Sequence, residues 1–134
     1  MAVVPKVVAL DFDGVLHSYV SGYTGSRPTD PPSPGAVEFV EDLVRRGFIC
    51  VVVSSRAATT SGADGIRAYL AEHGFPWMLV TSQKLPAHAY LDDRAVAFQP
   101  HRGIGFPEAM RQITDLAHRA PSAPSPAGTT RGGE

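Results

Sequence analysis

The chain has 134 residues, is 43% hydrophobic and 19% charged, and carries a formal net charge of -1. These values fit one globular domain with an ordinary core and exclude the overall basic surplus that drives non-specific nucleic-acid binding, while leaving a local basic groove open. The single cysteine, Cys50, lies in the apolar run FICVVV, which rules out an internal disulfide and reads as a small buried hydrophobe.

The N-terminal stretch MAVVPKVVALDFDG has no long apolar segment followed by a small-residue cleavage site, and no run approaches membrane-spanning length. A cytoplasmic protein without membrane contact is expected. Residues 6–10, KVVAL, form a short β-branched run of the kind buried on both faces of a parallel sheet. Residues 17–35, HSYVSGYTGSRPTDPPSPG, are rich in Gly, Pro, Ser and Thr and predict a long excursion, a kind of loop that usually serves function. Ser33 as N-cap and Pro34 at the first helical position predict a helix with Ala36, Val40, Leu43 and Val44 on one face, stopped by Gly47. A second buried strand, FICVVVSS (48–55), is followed by the loop RAATTSG and a helix carrying Ile66, Tyr69 and Leu70 on one side. WMLVTS (77–82) and AYLDDR (89–94) are shorter strand candidates, and AVAF (95–98) a candidate edge strand. A last helix is expected to start near Pro107 and to turn Phe106, Met110, Ile113 and Leu116 toward the core. From Pro121 the sequence PSAPSPAGTTRGGE has no apolar periodicity, so residues 1–119 are expected to form the domain and 120–134 a disordered tail.

Strands alternating with helices predict an α/β domain with a parallel central sheet, in which ligands bind beyond the carboxyl ends of the strands. Three strand candidates end there in Asp11 and Asp13, Ser54, and Asp92 and Asp93. Four carboxylates in one partly dry site require a cation, because like charges and burial both oppose ionisation. Oxygen ligands without a His or Cys cluster favour a hard ion, and a site completed by waters suits Mg²⁺, which in turn points to a phosphate substrate. Ser54 can donate its hydroxyl to a phosphoryl oxygen, Lys84 can neutralise the same group, and backbone N–H groups around Gly14 can line the site. Beside a cation and a lysine, a carboxylate is a workable nucleophile toward phosphorus. A second carboxylate two residues on, projecting to the same side of an extended backbone, can protonate the leaving oxygen and then activate water.

The motifs DFDGVL, VVVSSR, Lys84 and LDDR, in this order over residues 5–100, resemble the four motifs of the haloacid dehalogenase (HAD) superfamily. The resemblance implies a three-layer Rossmann-like fold with helices on both faces of the sheet. It implies Asp11 as nucleophile and metal ligand, and Asp13 as general acid/base that also ligates the metal through its main-chain carbonyl. Ser54 and Lys84 would hold the phosphoryl group. Asp92 would be the remaining direct Mg²⁺ ligand, with Asp93 binding a metal-bound water or the lysine. An aspartate at position 13 favours phosphatase chemistry over dehalogenase or transport-ATPase chemistry. With Arg56 and Arg94 in SSR and DDR, the chain is similar to small cap-less members such as the phosphatase domain of phage-type polynucleotide kinase-phosphatases. There is no room for a cap, so the site would be open to a nucleotide, a nucleic-acid end or another phosphorylated molecule.

Several residues keep two readings. Arg56 is counted with the phosphate-binding residues, and structural pairing with site carboxylates is its equal alternative; the same holds for Arg94. Ser54 is preferred to Ser55 at the phosphate. His17 reads as an exposed loop histidine, with substrate contact as the alternative. Tyr19, Tyr23 and Arg27 could stack on a base, but packing on their own domain is the simpler expectation. Trp77 reads as core or rim, and His73, His88, His101 and His118 show no metal-ligand spacing. The leading expectation is a Mg²⁺-dependent phosphomonoesterase working through an aspartyl-phosphate. The alternative is a low-turnover domain of the same fold that binds a phosphorylated ligand or partner.

Overall fold

Apolar, β-branched runs with little room for polar side chains become the strands. The computed structural model describes residues 5–119. Lys6–Leu10 (β1), Phe48–Val53 (β2), Leu79–Thr81 (β3) and Ala89–Leu91 (β4) form an all-parallel sheet in the order β3-β2-β1-β4. The helices are Ala36–Arg45 (α1), Thr60–Glu72 (α2) and Phe106–Ala117 (α3). The α/β class and parallel sheet are as expected. Among the described residues no helix is long and apolar enough to cross a membrane.

Side chains alternate across a strand, so each face has its own set. Val8, Leu10, Cys50, Val52 and Val80 join Ala36 and Val40 of α1 and Ile66, Tyr69 and Leu70 of α2 in one buried cluster. The opposite face presents the row Leu79, Val51, Ala9, Tyr90, read across the four strands. Among the described residues no helix packs into a second buried layer on this face. The Tyr90 hydroxyl bonds to the main chain of Leu85, which draws the link 82–88 onto this face as it crosses from β3 at one edge to β4 at the other. Three strand spacings amount to ~14 Å, a distance seven extended residues can span, so this connection needs no helix.

Several boundaries shift from the sequence expectation. α1 begins at Ala36 rather than at Pro34, because Gly35 takes a left-handed conformation (φ 80°) and the Ala36 N–H closes a turn on the Ser33 carbonyl at 3.0 Å. Gly47 (φ 90°) ends that helix as expected. Residues 95–98 form no strand; the nearest pairing is an isolated bridge between Gln99 and Ile104. α3 starts where expected but buries none of its residues: Phe106, Met110 and Ile113 are 77%, 64% and 53% exposed. Amphipathic spacing defines an apolar face, not what covers it. Trp77 is likewise exposed. The expected tail lies outside the described residues.

Ile66→Ala, which empties a fully buried site, is expected to cost about 2–5 kcal/mol of unfolding free energy. Ile113→Ala on α3 is expected to stay within about 0.5 kcal/mol. Urea titrations of the two variants check the contrast, and equal losses would place α3 in the core.

Candidate functional site

Leu10 pairs with Val52 on one side and Leu91 on the other, so Asp11 and Asp92, which follow the ends of β1 and β4, leave the sheet side by side. The ladder extends one step further: the Asp11 N–H donates to the Leu91 carbonyl and the Ser54 N–H to the Thr81 carbonyl, both at 2.9 Å. β2 and β3 follow on one side of β1 while β4 lies on the other, so the strand order reverses between β1 and β4. Ligands of open α/β sheets bind at such a reversal. Asp11 and the pair Asp92–Asp93 meet there, with carboxylate oxygens all within 4.8 Å of one another.

This cluster is built by local geometry. Asp11 Oδ1 accepts the Phe12 N–H at 2.8 Å, and Asp92 Oδ1 accepts the Arg94 N–H at 2.8 Å, which fixes the turn after β4. Gly14 has φ 86°, and a Cβ there would collide with the Asp93 carboxylate, so only glycine admits Asp93 at this distance. The Gly14 N–H, expected to line the site, instead donates to the His17 carbonyl at 2.8 Å. Burial, followed by the negative charge of Asp92, pushes the Asp11 carboxyl up to about 7. Three carboxylates with no cationic side chain among the described residues paired to them are an all-oxygen donor set that fits a hard divalent cation.

Asp13 belongs to a different set of contacts. The chain turns at once after β1, with the Phe12 carbonyl accepting the N–H groups of Val15, Leu16 and His17, so the expected extended i, i+2 arrangement does not hold. Asp13 Oδ1 accepts from His17 Nδ1 at 2.7 Å and Arg56 Nη2 at 2.9 Å, and Oδ2 from Arg56 Nε at 3.1 Å. Burial raises its pKa, but the hydrogen bonds from His17 and Arg56 and the guanidinium charge outweigh that and hold the carboxyl below the ordinary range. A metal contact through its side chain is therefore not part of this arrangement.

His17 is buried, 1% exposed, which corrects its reading as an exposed loop residue. Arg56, 3% exposed, is committed to Asp13 and to the Gly25 carbonyl (2.7 Å), so the structural alternative describes it and the phosphate role does not. Tyr23 lies under the same guanidinium at 5.1 Å and Tyr19 edge-on to His17 at 5.8 Å, so both aromatics pack on their own domain. Ser54 is buried and its Oγ accepts the Arg56 N–H at 3.2 Å, capping the short 3-10 turn 55–58, which keeps its own O–H free to donate. Ser55 is exposed. Lys84 is exposed, with its ammonium 5.8 Å from the Tyr90 ring centre, and pairs with no carboxylate among the described residues. The link 82–88 carries it toward the sheet's second face.

Two contributors escaped the sequence reading. Asp30 offers its amide N–H to His17 Nε2 at 3.1 Å, and its carboxylate accepts from the Ser21 N–H (2.8 Å) and Oγ (2.6 Å). The Tyr69 hydroxyl donates to the Asp30 carbonyl at 2.7 Å. Asp30 sits in a Pro-rich loop with no periodicity to mark it. No family model matches the chain, and neither a curated protein nor a solved structure does.

The folded state keeps the Asp11 proton up to about pH 7, whereas an unfolded chain releases it near 3.8. Between these values the folded state binds more protons, so this group makes stability fall as pH rises, levelling above about 7. In EDTA, the urea midpoint of the wild type is expected to drop between about pH 5 and 7 more steeply than that of Asp11→Asn. Parallel curves would show that Asp11 is not perturbed.

Proposed function

We propose that the chain is a divalent-cation-dependent phosphomonoester hydrolase that works through an aspartyl-phosphate on Asp11. The observation that carries this reading is the cluster of Asp11, Asp92 and Asp93 at the strand-order reversal, with a fourth aspartate, Asp13, supported separately two residues from Asp11. The order of the four sequence motifs supports it as a resemblance to the HAD superfamily.

Asp11, Asp92 and Asp93 would hold Mg²⁺. The bound ion would supply positive charge to offset these carboxylates and the phosphoryl oxygens. Asp11 attacks phosphorus as the ester P–O bond breaks, and the departing alkoxide takes up the proton that Asp13, a carboxylate in the resting protein, gained from the hydrolytic water of the preceding turnover. Asp13, now a carboxylate, takes a proton from the water that attacks the acyl phosphate, releasing phosphate and restoring both side chains. The Ser54 hydroxyl is suited to a phosphoryl oxygen. Lys84 would have to leave the Tyr90 ring to do the same, and this feature favours the second reading, a domain that binds a phosphorylated ligand with little turnover. Nucleotides, nucleic-acid phosphate ends and small phosphorylated metabolites are the substrate classes suited to a site without a cap.

Phosphate release from a panel of monoesters and phosphate-ended oligonucleotides tests the reading. Wild type with Mg²⁺ is expected to turn over at least one of them, and EDTA or Asp11→Asn to lower that rate roughly 10³-fold or more. Tight binding without release would support the second reading.

A further inference from the structure

α3 presents three different sides. Along a helix, positions three and four apart fall on one line. Ala109, Gln112 and Leu116 are half-buried and form the side turned toward the rest of the chain. Glu108, Arg111 and Asp115 form a charged side, on which Arg111 Nε donates to Glu108 Oε1 at 3.0 Å. The third side holds Phe106, Met110 and Ile113, which are 77%, 64% and 53% exposed, with Thr114 and Ala117 beside them and no charged residue.

A helix that only rests on its own domain needs one apolar stripe, with polar residues opposite. Here the stripe of large apolar residues is the one that faces away. Its spacing, four residues and then three, with Ala117 four further on, is that of the narrow seam along which two helices pack. Phe98 widens the seam: its ring lies 4.5 Å from that of Phe106, and it is 47% exposed. At about 150–250 Å² for each fully covered large side chain, these four residues leave roughly 450 Å² of apolar surface open on each copy.

What covers this surface must be apolar, uncharged and helical in outline. The segment 120–134 does not qualify, since Ala and Pro are its only apolar residues besides glycine. A second copy of α3 does. The seam carries an aromatic ring at one end, a smaller branched side chain at the other and an adaptable methionine between them. A two-fold axis beside Met110 therefore makes it self-complementary, setting Phe106 of each copy against Ile113 of the other. With a net charge of only -1, two copies repel one another little. Counted on both copies and with its flanks included, the covered area is roughly 1,000 Å², the lower bound for a specific interface and the range of weak, reversible association.

We propose that two copies of this chain associate through the Phe106, Met110 and Ile113 seam of α3, with the helices antiparallel about a two-fold axis at Met110. The dimer dissociates on dilution by mass action, so Ile113→Ala keeps its small effect in urea titrations of dilute protein.

Sedimentation velocity of the full chain from about 1 μM to about 1 mM tests the proposal. The wild type is expected to shift from the monomer toward about twice its mass over this range, and Met110→Glu to require at least about 10-fold more protein for the same shift. Trp77→Glu, the same kind of change at a residue 84% exposed outside the helix, is expected to match the wild type. Oxidation gives a second reading. Because Cys50 is buried, Met110→Cys adds one accessible thiol, which is expected to cross-link two copies through position 110 faster than Trp77→Cys does. A wild type that stays monomeric at the highest concentration would overturn the proposal. So would a dimer that Met110→Glu leaves intact, or equal cross-linking of the two cysteine variants.

Discussion

Like charges at short range organise this molecule. Asp11, Asp92 and Asp93 each bring a carboxylate oxygen within 4.8 Å of the others, and among the described residues no cationic side chain is paired to them. The backbone forces this approach: the reversal in strand order sets β1 and β4 side by side, and the missing side chain of Gly14 lets Asp93 close in. The energetic cost appears as the raised pKa of Asp11, chiefly from burial and then from Asp92. A divalent cation is the simplest species that removes it.

Asp13 meets the same problem with the opposite solution. Its charge is offset within the chain by Arg56, while His17 adds a hydrogen bond from below. One aspartate of DFD is thus left for an external cation and the other is neutralised internally. The excursion 17–35 is the structural means, tied to α2 through Tyr69 and Gly65 and to the turn after β2 through Arg56. On the proposed reading, the carboxylate beside the cation is the one suited to attack.

Much of this was legible in the sequence because it depends on short-range rules. Apolar runs marked β1 and β2, the aspartates after β1 and β4 marked the carboxyl edge, and Ile66, Tyr69 and Leu70 marked the buried side of α2. What was not legible depends on contacts distant along the chain. His17 looked like a loop residue until Asp30, thirteen positions on, and Arg56, beyond the next strand, were seen to close around it and Asp13. Lys84 had the right place in the order of motifs, yet the link that carries it crosses the sheet's second face to Tyr90. The apolar side of α3 was readable as a pattern, but its exposure was not, since periodicity carries no information about the partner surface.

The central claim is that Asp11 becomes covalently phosphorylated. Rapid mixing of the protein with Mg²⁺ and a turned-over monoester, followed by an acid quench and borohydride reduction, converts an aspartyl-phosphate to homoserine that peptide mass analysis can place. The account predicts homoserine at position 11 in the wild type and none when substrate is left out. Reduction at a different acidic residue, or none at any residue while phosphate is being released, would contradict it.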